Sequence, residues 1–389
     1  MDPSAVAVLD PPVEGATARP KVKAPFERTP EEKVNWKASI PFLLVHVLAV
    51  VGTLWFGVTA KSLALFLAMV WVRMFFITGG YHRYFAHRTY KTNRAWQLVL
   101  AMGGATSAQK GPLWWAGHHR NHHRYSDTEL DIHSPLRGFW WSHVGWILCD
   151  RYDEIPHDRI RDFAKFPELR FVEKWNGLFP WLLGTACMLV AGWSGLFFSF
   201  MLGTVVLWHS TFLVNSLAHV SGRRRFVTDD TSRNNLFISL LTLGEGWHNN
   251  HHHYQAAARN GFFWWEIDVT WYILKAMSWV GLVKDLKVPT KEILEADRIK
   301  DGNFDVGMFK YHWARAQAEV AHARVDDRIE VACADAHDPA VVARRDALEL
   351  ALETEKVAID ERLQDAVASA EALAGVARRG PRQLTVHGS

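Results

Sequence analysis

Cysteine is scarce: three in 389 residues (Cys149, Cys187 and Cys333), far apart along the chain. That excludes a disulfide framework, a four-cysteine zinc site and a resident cysteine-ligated iron–sulfur cluster. An excess of one charge is also missing. Lys and Arg number 44 against 41 Asp and Glu, a net charge of +3 with His neutral, so no electrostatic case exists for binding nucleic acid. Residues 1–38, rich in Pro, Ala and charge, lack the apolar stretch a signal peptide needs. They read as a mostly disordered tail, leaning basic through Lys21, Lys23, Arg28, Lys33 and Lys37. There is no internal repeat. Present in excess are 19 Trp and 20 His, which point to membrane-interface aromatics and to metal ligation. The mean hydropathy of -0.08 looks soluble only because it averages unlike segments.

From Ile40 to Ala60 there is no formal charge, and at about 1.5 Å per residue this run makes roughly 31 Å of helix. After Lys61 the chain stays apolar from Ser62 to Gly80 apart from Arg73, so the two runs must form a tight antiparallel hairpin. A second uncharged stretch, Trp175 to Gly222, is too long for one crossing and is broken by Gly192-Trp193-Ser194-Gly195. It reads as another hairpin. The fold expected is all-α and integral to the membrane. Four transmembrane helices (about 40–60, 62–80, 175–192 and 195–215) make two hairpins under a helical cap that holds a di-metal site. The domain boundaries expected are a tail over 1–38, a membrane domain over 39–285 and a charged helical extension over 286–389. Nearly all Lys and Arg outside the spans lie in the tail, in 81–174 or after 222. The positive-inside bias makes that side cytoplasmic, with both termini there, in a cell (inner) membrane. Residues 261–283 are aromatic but carry Glu266, Asp268 and Lys275, which favours a helix lying at the interface over a fifth crossing.

The histidines cluster. His82 and His87 directly follow the second span; His119, His122 and His123 lie in the first cytoplasmic block; His248, His251 and His252 lie in the second. Positions i, i+3 and i+4 share one helical face, so each His-x-x-His-His can aim three imidazoles at one point. His82 and His87, at i and i+5, need a helix end or a distortion to converge. Eight imidazoles exceed the needs of one zinc ion and suit two metal ions. His118 and His253 sit beside the clusters, one residue out of register. His46 and His157 have no patterned partner and read as ordinary helix polar groups.

At these residues the chain resembles the membrane fatty acyl desaturases, particularly the stearoyl-CoA desaturase-like Δ9 branch. HRYFAH, HRNHH and HNNHH match that family's three histidine boxes in order and spacing, within similar surroundings: WWAGHHRNHHRYSDTELDIHSP, GFWWSHVGW, NSLAHVSG and GEGWHNNHHHY. The resemblance covers roughly residues 40–285. It implies a centre of two irons with nine histidine ligands: the eight above and His219, with Asn215 reaching an iron through a water. On a helix Asn215 and His219, at i and i+4, would share a face. It also implies that Gln109 and Trp115 line the substrate channel near its bend.

Two irons, given electrons, turn O₂ into an oxidant able to take hydrogen from an unactivated methylene. Imidazole suits iron, and the boxes contain no carboxylate, unlike soluble carboxylate-bridged di-iron bundles. Orienting acceptors for the rings are expected at Asp127, Asp131 and Glu245. The activity expected is O₂-dependent insertion of a cis double bond, at Δ9, into a long acyl chain, acyl-CoA being favoured over acyl-lipid. Against acyl-CoA, HVGWILCDRYDE carries Asp150 and only Arg151 where acyl-CoA-using relatives carry a basic pair. No haem-binding HPGG segment is present, so electrons come from a separate donor such as ferredoxin, rubredoxin or cytochrome b5 with its reductase. Arg223-Arg224-Arg225 offers such a donor a docking patch, or anchors the chain at the membrane. The rivals are a hydroxylase on a similar scaffold, which product analysis separates, and a membrane metal transporter, whose ligands would lie near mid-membrane.

Overall fold

Local signals set where the helices begin and end. Helix α1 (Trp36–Phe56) starts where the Asn35 side chain accepts the Ala38 amide at 3.0 Å, and it stops at Gly57. Helix α2 (Ala60–Phe75) follows after three residues, opened by a reciprocal Thr59/Ser62 capping box. So short a connection forces α1 and α2 antiparallel. A computed structural model gives this fold for residues 29–299, with the paired backbone of 304–305.

Helix α2 does not stop at Gly80. It runs on as a π-helix over Phe76–Ala86. The short strand β1 (Lys91–Thr92), α3 (Arg94–Ala105) and α4 (Pro112–Tyr125) come next, α4 having Pro at its first position. Then follow α5 (Phe139–His143), α6 (Arg161–Ala164), α7 (Pro167–Lys174) and α8 (Leu178–Ser194). A second π-helix, Gly195–Leu202, leads into α9 (Gly203–Asn215) and α10 (Leu217–Val220). After β2 (Gly222–Arg223) come α11 (Leu236–Leu241), α12 (His248–His253) and α13 (Val269–Trp279). Strand β3 (Val283–Lys284) pairs antiparallel with β1, α14 spans Lys291–Glu295, and β4 (Phe304–Asp305) pairs antiparallel with β2.

Among the described residues the protein is mostly helical, and three helical runs there are long and apolar enough to cross a membrane: Pro30–Phe56, Ala60–Ala86 and Leu178–Val220. The third is not straight. Ala191 and Gly192 leave helical geometry, Gly192 at φ 64°, a conformation that glycine adopts without strain, and the π-helix beyond packs back against α8. The returning arm also meets the first hairpin: Phe56 stacks on Phe197 at 5.3 Å, and buried Arg73 donates to the Thr204 hydroxyl at 2.7 Å. Leu54, Trp55 and Leu189 each leave more than four fifths of their surface uncovered, as lipid-facing side chains do.

The main core lies where the end of α2 meets α3, α4 and α9, built from Tyr81, Phe85, Leu100, Leu113, Leu207 and Trp208. Two expectations are adjusted here. Residues 29–35 pack: Glu32 is buried against Arg137 (2.6 Å) and Arg151 (2.9 Å), while 1–28 and most of the 286–389 extension lie outside the described residues. In the 261–283 segment, Trp264 and Trp279 are exposed as an interfacial helix requires. Glu266 and Asp268, however, are buried: Glu266 pairs with Arg225, and Asp268 caps α13 and pairs with Arg83.

Candidate metal centre

The π-helix answers the awkward spacing of the first box. A π turn brings residue i+5 round to residue i, and the His87 amide donates to the His82 carbonyl at 3.1 Å. The two imidazoles lie 4.8 Å apart, centre to centre. Arg120 of α4 donates to the carbonyls of Phe85 and Ala86 at 2.6 and 2.8 Å and pairs with Asp162, so the second box is tied to the end of the first. Buried Arg83 reaches the third box segment, donating to Glu245 at 2.9 and 3.2 Å and to Asp268 at 3.1 Å. Within HNNHH the asparagines face away from the histidines. The Asn249 carbonyl accepts the Arg225 and Phe226 amides at 2.7 and 2.8 Å, and the Asn250 amide donates to Glu266 at 2.8 Å.

These ties gather nine imidazoles into two groups whose facing ring atoms all lie within 4.8 Å of one another: His82, His87, His119, His123 and His251 in one, His122, His219, His248 and His252 in the other. Each His-x-x-His-His box therefore divides. Its i and i+4 members enter one group and its i+3 member enters the other, which corrects the expectation that three rings of a box aim at one point. The cause is that i and i+4 sit nearly above one another on a helix, whereas i+3 is turned to the other side of that line.

The spacings inside the groups are those of ligands. In the first group the Nε2 atoms of His87 and His119, His119 and His123, His123 and His251, and His251 and His82 are separated by 2.9, 3.0, 2.9 and 3.0 Å. In the second, His219 and His248 are 3.0 Å apart, and the buried Nε2 of His252 has no hydrogen-bond partner. Two nitrogens at right angles around a metal, each about 2.1 Å from it, lie about 3.0 Å apart. A neutral ring nitrogen cannot donate to two neighbours at once, so a shared cation accounts for these contacts better than hydrogen bonds do.

Carboxylates hold the far nitrogen of four rings. His82 Nδ1 lies 2.6 Å from Glu245, His122 Nδ1 3.0 Å from Asp131, His219 Nδ1 3.3 Å from Asp127 and His252 Nδ1 2.5 Å from Asp230. The contacts to His122 and His252 are hydrogen bonds, which fix the Nδ1 proton and turn the Nε2 lone pair inward. Burial alone would raise the Asp131, Asp230 and Glu245 carboxyls, but His122 and His133, His252, and His82 with Arg83 more than offset it, leaving all three below the usual carboxylate range. Burial first, then mutual repulsion, pushes His119, His123, His248 and His251 well below the usual histidine value. They are neutral, as ligands must be.

Three features escaped the sequence. Asp230 orients a ring from a loop, with no spacing signal linking it to His252. His133 lies 4.3 Å from the His122 ring and shares Asp131. Third, His46 does have partners: its Nε2 meets His209 Nε2 at 3.0 Å, His209 Nδ1 meets His143 Nε2 at 3.0 Å, and His143 Nδ1 meets the Ser216 hydroxyl at 2.9 Å. Asn215 and His219 do not share one helix, because the helical run breaks at Ser216 between α9 and α10. His118 and His253 stay outside both groups, bonded to the Glu154 and Ile293 carbonyls. Nor is Arg223-Arg224-Arg225 an exposed patch: Arg224 is buried against Thr228 and Arg225 pairs with Glu266, leaving Arg223 exposed.

Beside the first group lies a cavity of about 320 Å³ lined by Gln109, Trp115, His119, Asn215 and aromatic side chains from α1, α4 and α9. Trp115 stacks on His119 at 4.9 Å and hydrogen-bonds Gln109, whose amide donates to Thr211 at 3.0 Å.

The family profile described as fatty acid desaturase matches residues 59–279. Relatives include an sn-2 palmitoyl-lipid 9-desaturase of Nostoc sp. (strain 36), 36% identical over 66% of this chain and 92% of that protein. An acyl-CoA 5-desaturase of Anemone leveillei is 37% identical over 64% of this chain and 78% of its own length. An sn-1 stearoyl-lipid 9-desaturase of Anabaena variabilis is 34% identical over 67% and 96%. With two histidine groups compatible with a di-metal site and long apolar helices, the chain belongs to the fatty acid desaturase family.

Proposed function

We propose that this protein is an integral-membrane, O₂-dependent desaturase that inserts a cis double bond, at Δ9, into a long saturated acyl chain. The observation that carries the proposal is the pair of five- and four-imidazole groups beside an aromatic-lined cavity. His82, His87, His119, His123 and His251 would hold one iron. His122, His219, His248 and His252 would hold the other, with Asn215 reaching it through a water. Iron bound there and supplied with electrons would provide the O₂-derived oxidant that methylene oxidation requires.

The chain's own groups do the positioning. Asp127, Asp131, Asp230 and Glu245 hold the rings against rotation. Gln109 and Trp115, braced on Thr211, form the cavity wall against which the acyl chain bends, and the flanking Trp114, Trp146 and Phe212 keep water from the reacting carbons. The helical run that doubles back at Gly192 supplies two crossings. Four helices then span the bilayer, with the histidine boxes and both termini on the cytoplasmic side, where a separate electron donor docks.

Fatty-acid profiling by gas chromatography and mass spectrometry of a host expressing the protein beside His119→Ala tests this reading. A new monounsaturated acid that disappears in the variant is expected. A hydroxy acid in its place would shift the reading to a hydroxylase, and no change with iron loading confirmed and a donor supplied would overturn it.

A further inference from the structure

Three histidines outside the metal groups form a chain of their own. His46 of α1, His209 of α9 and His143 of α5 meet in sequence and end on buried Ser216, which lies between Asn215 and His219. Burial first, and the His209 ring beside it second, push the His143 imidazole down to about 4, so it is neutral. A neutral imidazole donates once and accepts once, and for neutral rings one arrangement of protons satisfies every contact in the chain. His46 Nδ1 faces the Phe42 carbonyl at 2.7 Å, and a carbonyl only accepts, so the His46 proton sits on Nδ1. His46 Nε2 then accepts from His209 Nε2 at 3.0 Å, and His209 Nδ1 accepts from His143 Nε2 at 3.0 Å. That leaves His143 Nδ1 bare, 2.9 Å from the Ser216 hydroxyl.

The Ser216 hydroxyl also donates to the Phe212 carbonyl, four residues back, at 2.8 Å, a bond that bends helices when serine makes it. A second acceptor from α5 competes for the same proton and draws Ser216 toward His143. The helical run breaks at this residue, and the Ser216 carbonyl accepts the His219 amide at 3.1 Å. A shift of Ser216 therefore reaches His219, whose Nε2 faces His248 at 3.0 Å in the second metal group. From this geometry we propose that His143 is a positioning residue for the second metal group: acting through Ser216, it sets where His219 presents its ring, and its own acceptor is set from α1 through His209 and His46. The inference rests on reading the two histidine groups as metal sites and adds to them a chain that touches neither metal.

The test uses the full chain in detergent, stripped of metal and titrated with cobalt(II), whose visible bands report the geometry of its ligands. His219→Ala identifies the bands of the second group by removing them. His143→Phe keeps a ring to stack on Phe139, now 5.6 Å away, and removes both nitrogens. It should weaken cobalt binding at the second group by about tenfold or more and alter those bands, leaving the bands of the first group as they are. His143→Asn returns an acceptor close to the Nδ1 position and should recover most of the loss. His46→Phe, at the far end of the chain, should disturb the same bands. A lowered metal-free Tm in His143→Phe with both groups binding cobalt as the wild type does would mark a merely structural role and overturn the proposal. If that variant does not fold, unaltered second-group bands in His46→Phe would overturn it, and either result would leave the desaturase reading intact. Failure of the wild type to bind two cobalt ions would instead bring down the metal-site reading and the inference with it.

Discussion

His122 and His251 each part from the other two histidines of their own box to join the other metal group. This exchange makes the two groups depend on each other's helix, so the carboxylates that orient the rings matter beyond their immediate contacts. Asp131 is the clearest case: it holds His122, contacts His133 and accepts the Asp127 amide at 3.0 Å, all without solvent. Asp131→Asn keeps the shape but loses the charge that fixes the Nδ1 proton. Iron affinity at that group should fall about tenfold to a hundredfold. Metal analysis after mild chelation should then find close to one iron per chain, against the two expected for the wild type under the proposed function. Undiminished iron and activity would remove Asp131 from its orienting role.

Among the elements, the π-helix over Phe76–Ala86 converts a spacing that suits no α-helix into a convergent pair of ligands. Its wall is close-packed. A Cβ at Gly104 on α3 would stand 2.1 Å from the Tyr81 ring, and Tyr81 directly precedes His82. Gly104→Ala should therefore cost about 1–3 kcal/mol through overpacking. A lowered Tm in a detergent thermal-shift assay would register the strain, while an unchanged Tm would mean that Tyr81 moves aside freely. At the end of the third apolar run, Asn215 closes α9 and His219 lies on the short α10, the two helices being separated at Ser216. Ser216 donates to the Phe212 carbonyl at 2.8 Å and meets His143, and the helix breaks there. Of these partners His143 comes from a distant part of the chain, so helical periodicity alone could not foresee it.

For the molecule as a whole, the proposed crossings require the Gly57–Thr59 turn and the Ala191–Gly192 turn to emerge on the side opposite the histidine boxes. Single cysteines at Val58 and Gly192 should react with an impermeant maleimide applied outside intact cells, and one at Asp158 only after the membrane is opened. Labelling of the Gly192 variant only from the cytoplasmic side would mean that the third apolar run does not cross twice.

Some of this was decided by sequence alone. Uncharged runs longer than a bilayer is thick must be membrane helices because charge is costly there. Repeated histidines at i, i+3 and i+4 announce metal because that pattern projects ligands from one turn, and Asp127, Asp131 and Glu245 were visible as acids close to the boxes. Tertiary structure decided the rest. It divided each box between two groups, brought in Asp230 and the chain of His46, His209 and His143, buried Glu266 and Asp268, and filled the α4 N-terminus with Glu173. These outcomes depend on residues far apart in the chain meeting in a dry interior. There, polar groups must find partners wherever the packing offers them, and no local period records which partner that will be.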